Sequence, residues 1–225
     1  MFRYYWRKYR LYPVQNRIST PIRTLVSSSL FVRIPPSSAP REAPTPLVFV
    51  TASEWDQSST TEMATLSSML AEKGFTSLQV DLTAHPDAKH RTPSDKIQAF
   101  SEELRSVVRL SGSPFPPVIV ARSASCLISQ QYIESYPAKA MALISPPNTN
   151  ADLERTKLGE PFDEFTYEPK FPIAVIDTKE RVTELKAKNR LCKDPSSSVD
   201  IITVSKTEGQ PLLNALELWL DDMGI

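Results

Sequence analysis

The sequence predicts an α/β fold: a three-layer sandwich whose mostly parallel sheet of about six strands carries helices on both faces. Two observations predict it. From Leu47 onward, short apolar runs alternate with segments of amphipathic period. The runs are near-continuously apolar rather than alternating, as strands buried on both faces must be. The prolines do not oppose this reading, because most of the 20 fall in the first 46 residues and in loops.

The elements follow in order. Leu47–Ala52 is long enough only for a buried strand. Thr60 or Thr61 can cap a helix through Lys73, with Gly74 at its C′ position and Met63, Leu66, Met69 and Leu70 as its inner stripe. Phe75–Leu82 is a strand that contains Asp81. Ser94 caps a helix to about Leu110, with Ile97, Phe100, Leu104, Val107 and Val108 facing inward. Pro117–Val120 is a buried strand, followed by a tight turn of small residues around Ser123 and a helix to about Tyr136. Strand Ala140–Ser145 comes next, then a polar irregular stretch, Asn148–Lys170. Phe171–Ile176 resumes strand character, and Arg181–Leu191 is a short helix. The last strand is Val199–Val204. Pro211–Met223 is a closing amphipathic helix built on Leu212, Leu213, Leu216, Trp219 and Leu220.

Charge divides the 225 residues into two parts. Up to Arg41 there are eight basic residues and no acidic one, which leaves 18 basic against 26 acidic in the remainder. That body, at net −8, has no general reason to bind nucleic acid or an anionic membrane. The Arg- and Ser-rich, acid-free start has the composition of an organellar transit peptide, and mitochondrion, matrix side, is the destination expected. Residues 1–45 are therefore read as a mitochondrial targeting segment with a Pro-rich leader, and 46–225 as the folded domain. A rival reading takes the Arg/Tyr/Trp cluster Phe2–Tyr12 as a nucleic-acid-binding arm. No apolar run is long enough to span a membrane. Cys126 and Cys192 make no disulfide framework. There is no Gly-rich phosphate loop, no zinc spacing and no dinucleotide fingerprint, so no cofactor or metal is expected.

The turn Ala121-Arg122-Ser123-Ala124-Ser125 carries the chemistry. A serine at a sharp strand-to-helix turn has its hydroxyl lifted clear of the sheet, and the helix N-terminus aims free N–H groups where negative charge would develop. Serine is equally a common helix cap, and that reading stands beside the first.

With these elements in place the chain resembles the α/β-hydrolase superfamily over most of Pro46–Ile225. Leu47-Val-Phe-Val-Thr-Ala is similar to the strand before the oxyanion loop, and Gly74–Asp81 to the strand that ends in an aspartate. Val118–Ser125 resembles the nucleophile elbow with alanine and serine in place of its glycines. Pro172–Val182 is similar to the strand and turn that deliver the triad acid. The family's first two antiparallel strands have no counterpart in this reading. The resemblance implies Ser123 as nucleophile, the N–H of Ala124 with that of Ala52 or Ser53 as oxyanion donors, and Glu180, or else Asp177, as acid. Its histidine would stand in Ser205–Gln210, which contains none. His85 and His90 both follow the Asp81 strand, and His85 is the candidate relocated base.

A serine hydroxyl without a base is a poor nucleophile. The expectation is thus a degenerate member of the fold that binds a protein partner or a small apolar ligand. The alternatives are an active ester or thioester hydrolase using Ser123, and an RNA-associated protein using its basic head.

Overall fold

The computed structural model describes residues 26–85, 92–153, 158, 160, 162–194 and 197–225. Seven strands form one sheet: β1 (Val26–Arg33), β2 (Ala43–Thr51), β3 (Phe75–Ala84), β4 (Val118–Arg122), β5 (Ala140–Ile144), β6 (Ile173–Thr178) and β7 (Val199–Val204). Their order is β1-β3-β2-β4-β5-β6-β7. All neighbours are parallel except β1, which runs antiparallel to β3 with Val26 opposite Ala84 and Arg33 opposite Ser77.

Among the described residues, five α-helices cover the sheet: α1 (Gln57–Glu72), α2 (Pro93–Leu110), α3 (Ser125–Ser135), α4 (Lys179–Lys188) and α5 (Gly209–Asp222). One face buries Ile97, Phe100 and Leu104 of α2 with Leu127 and Ile128 of α3 and Leu185 of α4. The other buries Met63, Leu66 and Leu70 of α1 with Leu212, Leu216 and Leu220 of α5. Both stripes at helical spacing are those that the sequence marks for burial.

Three expectations need correction. The sheet has seven strands rather than about six. The extra one, β1, falls within the segment read as leader, so Val26–Arg33 of that segment belongs to the sheet. One antiparallel strand of the kind taken as absent is therefore present. It escapes a periodicity reading because its three serines and its apolar half, Leu30, Phe31 and Val32, are half-exposed on both faces. The third correction concerns caps. Asp56 rather than Thr60 or Thr61 caps α1, and Thr92 rather than Ser94 caps α2, with Pro93 in its first turn.

β2 also starts earlier than its apolar run. Pro44 and Pro46 lack N–H groups, and the β2–β3 register shifts between Ala43 and Leu47, so regular pairing on both sides begins at Leu47. This sets the C-terminal ends of β2 and β4 side by side, with Val50 opposite Ala121, and the turns after both strands converge there.

Candidate active site

Ser123 stands between β4 and α3 with φ 53°, a left-handed conformation that costs a residue with a Cβ. Two contacts hold it there. Its N–H donates to the Ile144 carbonyl at 2.9 Å, and its own carbonyl accepts from the Cys126 N–H at 3.1 Å. Ala124 precedes α3 and supplies no side-chain cap, so the first turn of the helix is open toward the serine.

The missing elbow glycines are compensated by chemistry. Ala121 is fully buried, and Ser125 is buried with its hydroxyl shared between neighbours. The Ser125 Oγ lies 2.8 Å from both the Val50 and Arg122 carbonyls, and it accepts from the Arg122 N–H at 3.2 Å. A serine here ties β2 to the elbow, where a glycine would only have avoided it.

The loop after β2 is held by two aspartates. Asp81 at the end of the β2–β3 pairing accepts from the Thr51 Oγ1 (2.8 Å), the Ser53 N–H (2.9 Å) and the Ser53 Oγ (2.7 Å). The Ser53 N–H is thus spent on Asp81 and is not free for an oxyanion, which leaves Ala52 and Ala124 of the three donors named from the sequence. Asp56 accepts from the N–H and hydroxyl groups of Ser58 and Ser59 at 2.7 to 3.3 Å. The Ser123 hydroxyl faces the same carboxylate. Burial pushes the Asp56 pKa up, but the serine donors, Ser123 the least of them, outweigh it and hold the carboxyl below its ordinary value. A carboxylate so well satisfied is a weak base, and its negative charge opposes an oxyanion forming at Ser123.

The two acids part company. Asp177, in β6, is 2 % exposed at its side chain and accepts from the Thr178 N–H at 2.8 Å and the Ser145 Oγ at 3.2 Å, with Arg181 3.7 Å away. Burial raises its pKa against the pull of those partners. Ser145, like Ser123, is left-handed, at φ 47°. Glu180 lies in the first turn of α4 and faces solvent. The buried carboxylate is therefore Asp177, named second in the sequence reading, because a strand residue is enclosed by its neighbours and a helix-start residue is not.

His85 follows β3, which lies two strands from β4, about 10 Å sideways at ordinary strand spacing. His90 lies outside the described residues. The β7–α5 loop, where the resemblance would put the histidine, instead offers Thr207 to Arg122. The Arg122 guanidinium donates to the Thr207 carbonyl and reaches its Oγ1 at 3.5 Å, and it pairs with Glu62 of α1 at 2.6 Å. Beside this ion pair is a cavity of about 440 Å³ lined by Glu62, Leu66, Met69, Lys206 and Pro211 among others.

Sequence reasoning missed three of these parts. Asp56 could have been found from Asp-x-Ser-Ser ahead of an amphipathic run. The Asp81 staple and the Arg122–Glu62–Thr207 bridge link residues far apart in the chain and leave no local signal.

No family model matches the sequence, and no curated protein matches it. Solved structures do. An esterase from the Planctomycetes species Thermogutta terrifontis, Est2, aligns over 88% of this chain and 85% of its own at 13% identity, TM-score 0.58. Est1E from Butyrivibrio proteoclasticus, solved with ferulic acid bound, aligns over 88% and 94% at 12% identity, TM-score 0.57. A putative thioesterase from Silicibacter sp. TM1040 aligns over 84% and 75% at 19% identity, TM-score 0.54. With its parallel sheet, left-handed serine and converging loops, the chain has the α/β-hydrolase fold.

Proposed function

We propose that the chain is a mitochondrial protein that keeps the α/β-hydrolase fold without serine turnover and works by binding a protein partner or a small apolar ligand. One observation carries the reading: the β7–α5 loop is engaged by Arg122 through Thr207, a residue that cannot take a proton at neutral pH. The negative charge of Asp56 beside Ser123 supports it, since transition-state charge there would be repelled rather than stabilised. The cavity of about 440 Å³ beside Glu62 is within the size range of small-ligand sites and adjoins the same bridge.

A second reading, an active ester or thioester hydrolase, is favoured by the backbone strain kept at Ser123, which a mere helix cap would not need. It would use Asp177 as acid and His85 as relocated base. A fluorophosphonate probe separates the two. The expected outcome is no labelling of the wild type; labelling that disappears in Ser123→Ala would overturn the binding reading.

Residues 1–25 of the targeting segment, and with them the rival nucleic-acid arm at Phe2–Tyr12, lie outside those described. Mass spectrometry of the mature N-terminus decides between them: removal of that cluster is expected, and its retention favours the RNA-associated reading. Among the described residues no helix is long and apolar enough to cross a membrane.

A further inference from the structure

We infer that the groove between β7 and α5 takes an extended peptide segment of a partner protein, added to the sheet as a further strand. The segment carries basic side chains on its α5 side and apolar ones on the other. β7 is the last strand of the sheet, paired to β6 on one side and, among the described residues, to no strand on the other. Along its free side runs a cavity of about 880 Å³. Every residue that lines it is among those described. Residues 1–25 lead into β1 at the opposite edge of the sheet, six strand spacings or about 29 Å away.

Two walls define the groove. Residues 200–203 of β7 all line it. Consecutive strand side chains point to opposite faces, so a cavity that touches four in a row lies along the strand edge, where unpaired N–H and C=O groups project. The other wall is Ala215, Leu218, Trp219, Asp222 and Met223 of α5, spaced i, i+3, i+4, i+7, i+8 along one helical face. That stripe shares only Trp219 with the buried stripe of the same helix. It leaves Leu218 64 % exposed. A free strand edge beside an apolar helical stripe suits strand addition: main-chain bonds hold the added segment, and its side chains alternate between the two faces.

Charge selects the partner's chemistry. Asp200 and Asp222 both line the groove, and among the described residues neither has an ion-pair partner. Lys170, the one cation lining it, is paired with Glu168 at 2.5 Å. Asp200 accepts from the Trp219 Nε1 at 2.8 Å, which holds it against α5 and leaves the strand edge unguarded. Ile202 packs on the α5 side of the sheet, and Ile201 and Phe171 on the opposite side. An added strand thus presents alternate residues to the two carboxylates and the others to Phe171 and Ile201. A second copy of this chain, placed there by a two-fold axis, would bring the same carboxylates against each other, so charge favours a basic segment over self-pairing.

The inference rests on the binding reading above and names the chemistry of its protein partner. The test is fluorescence polarisation of a dye-labelled Lys-Val-Lys-Val-Lys-Val peptide titrated with the full chain. Saturable binding is expected, roughly tenfold weaker with Asp222→Lys, and none for a Glu-Val-Glu-Val-Glu-Val peptide. Asp222 ends α5 at the surface, where lysine suits a helix C-terminus, so the variant folds. Two N-methylated forms of the basic peptide separate strand addition from charge attraction alone. In an added strand alternate N–H groups face the edge, so methylating one alternate set should abolish binding and methylating the other should not. No saturable binding, equal binding of the acidic peptide, an unaffected Asp222→Lys, or equal binding of both methylated forms overturns the inference. Absent peptide binding with Ser123 unlabelled by fluorophosphonate refutes the groove alone, whereas labelling lost in Ser123→Ala refutes the binding reading.

Discussion

Ser123 holds a conformation that serine does not favour, and glycine would adopt it without the Cβ penalty. Ser123→Gly is therefore expected to raise stability by roughly 0.5–1 kcal/mol net of glycine's own entropy cost, as read from a urea midpoint, whereas Ser123→Ala should not gain. Asp177 makes a second prediction at this scale. Its folded pKa is raised, so between the unfolded carboxyl value near 3.9 and that raised pKa the native state binds the extra proton. Stability from this group is full below the unfolded value and is lost as pH rises through the folded one. Asp177→Asn, which can still accept from the Thr178 N–H, should match wild type where the carboxyl is protonated and become progressively more stable than it as pH rises through the raised pKa. Paired denaturation curves at several pH values check the divergence.

At the scale of elements, the junction of α1 and β3 turns on one glycine. Gly74 has φ 106°, and a Cβ there would stand 2.0 Å from the Arg41 carbonyl oxygen, a backbone atom that cannot swing away. Gly74→Ala is expected to cost about 2–4 kcal/mol, visible as a lowered denaturation midpoint with unchanged slope. This element boundary was legible in the sequence, since a lone glycine after an amphipathic stripe marks a helix end. The buried strands were legible for the same kind of reason: Val118–Val120 and Ala140–Ile144 are apolar throughout because both their faces are covered. β1 was not legible. An edge strand buries little, so burial imprints no alternation on Val-Ser-Ser-Ser-Leu-Phe-Val-Arg, and its position in an acid-free segment drew it into the leader. The site was legible to the same degree. Ser123 could be found from its strand-to-helix turn. The choice between Asp177 and Glu180 depended on enclosure, which three residues of sequence do not encode.

At the scale of the whole molecule, Arg122 joins parts of the chain that no local rule connects. It ends the central strand β4, pairs with α1 through Glu62 and reaches the β7–α5 loop 85 residues later through Thr207. Both charged side chains are mostly enclosed, at 14 and 24 % exposure, so the pair is neither a surface bridge of small worth nor a fully dry one. Removing the guanidinium leaves the Glu62 carboxylate without its ion-pair partner and the Thr207 carbonyl without a donor. Arg122→Ala is accordingly expected to cost about 2 kcal/mol. Lysine keeps the charge but not the planar fork that spans two acceptors in different elements, so Arg122→Lys should recover only part of that loss. The decisive readout is local as well as global. Amide exchange in Ser205–Glu208 should speed up in both variants, more in alanine than in lysine, while β4 stays protected; unchanged exchange in that loop would mean that Arg122 does not hold it. A loop tethered in this way is part of the scaffold. Its position is set by a bond from the residue beside the serine.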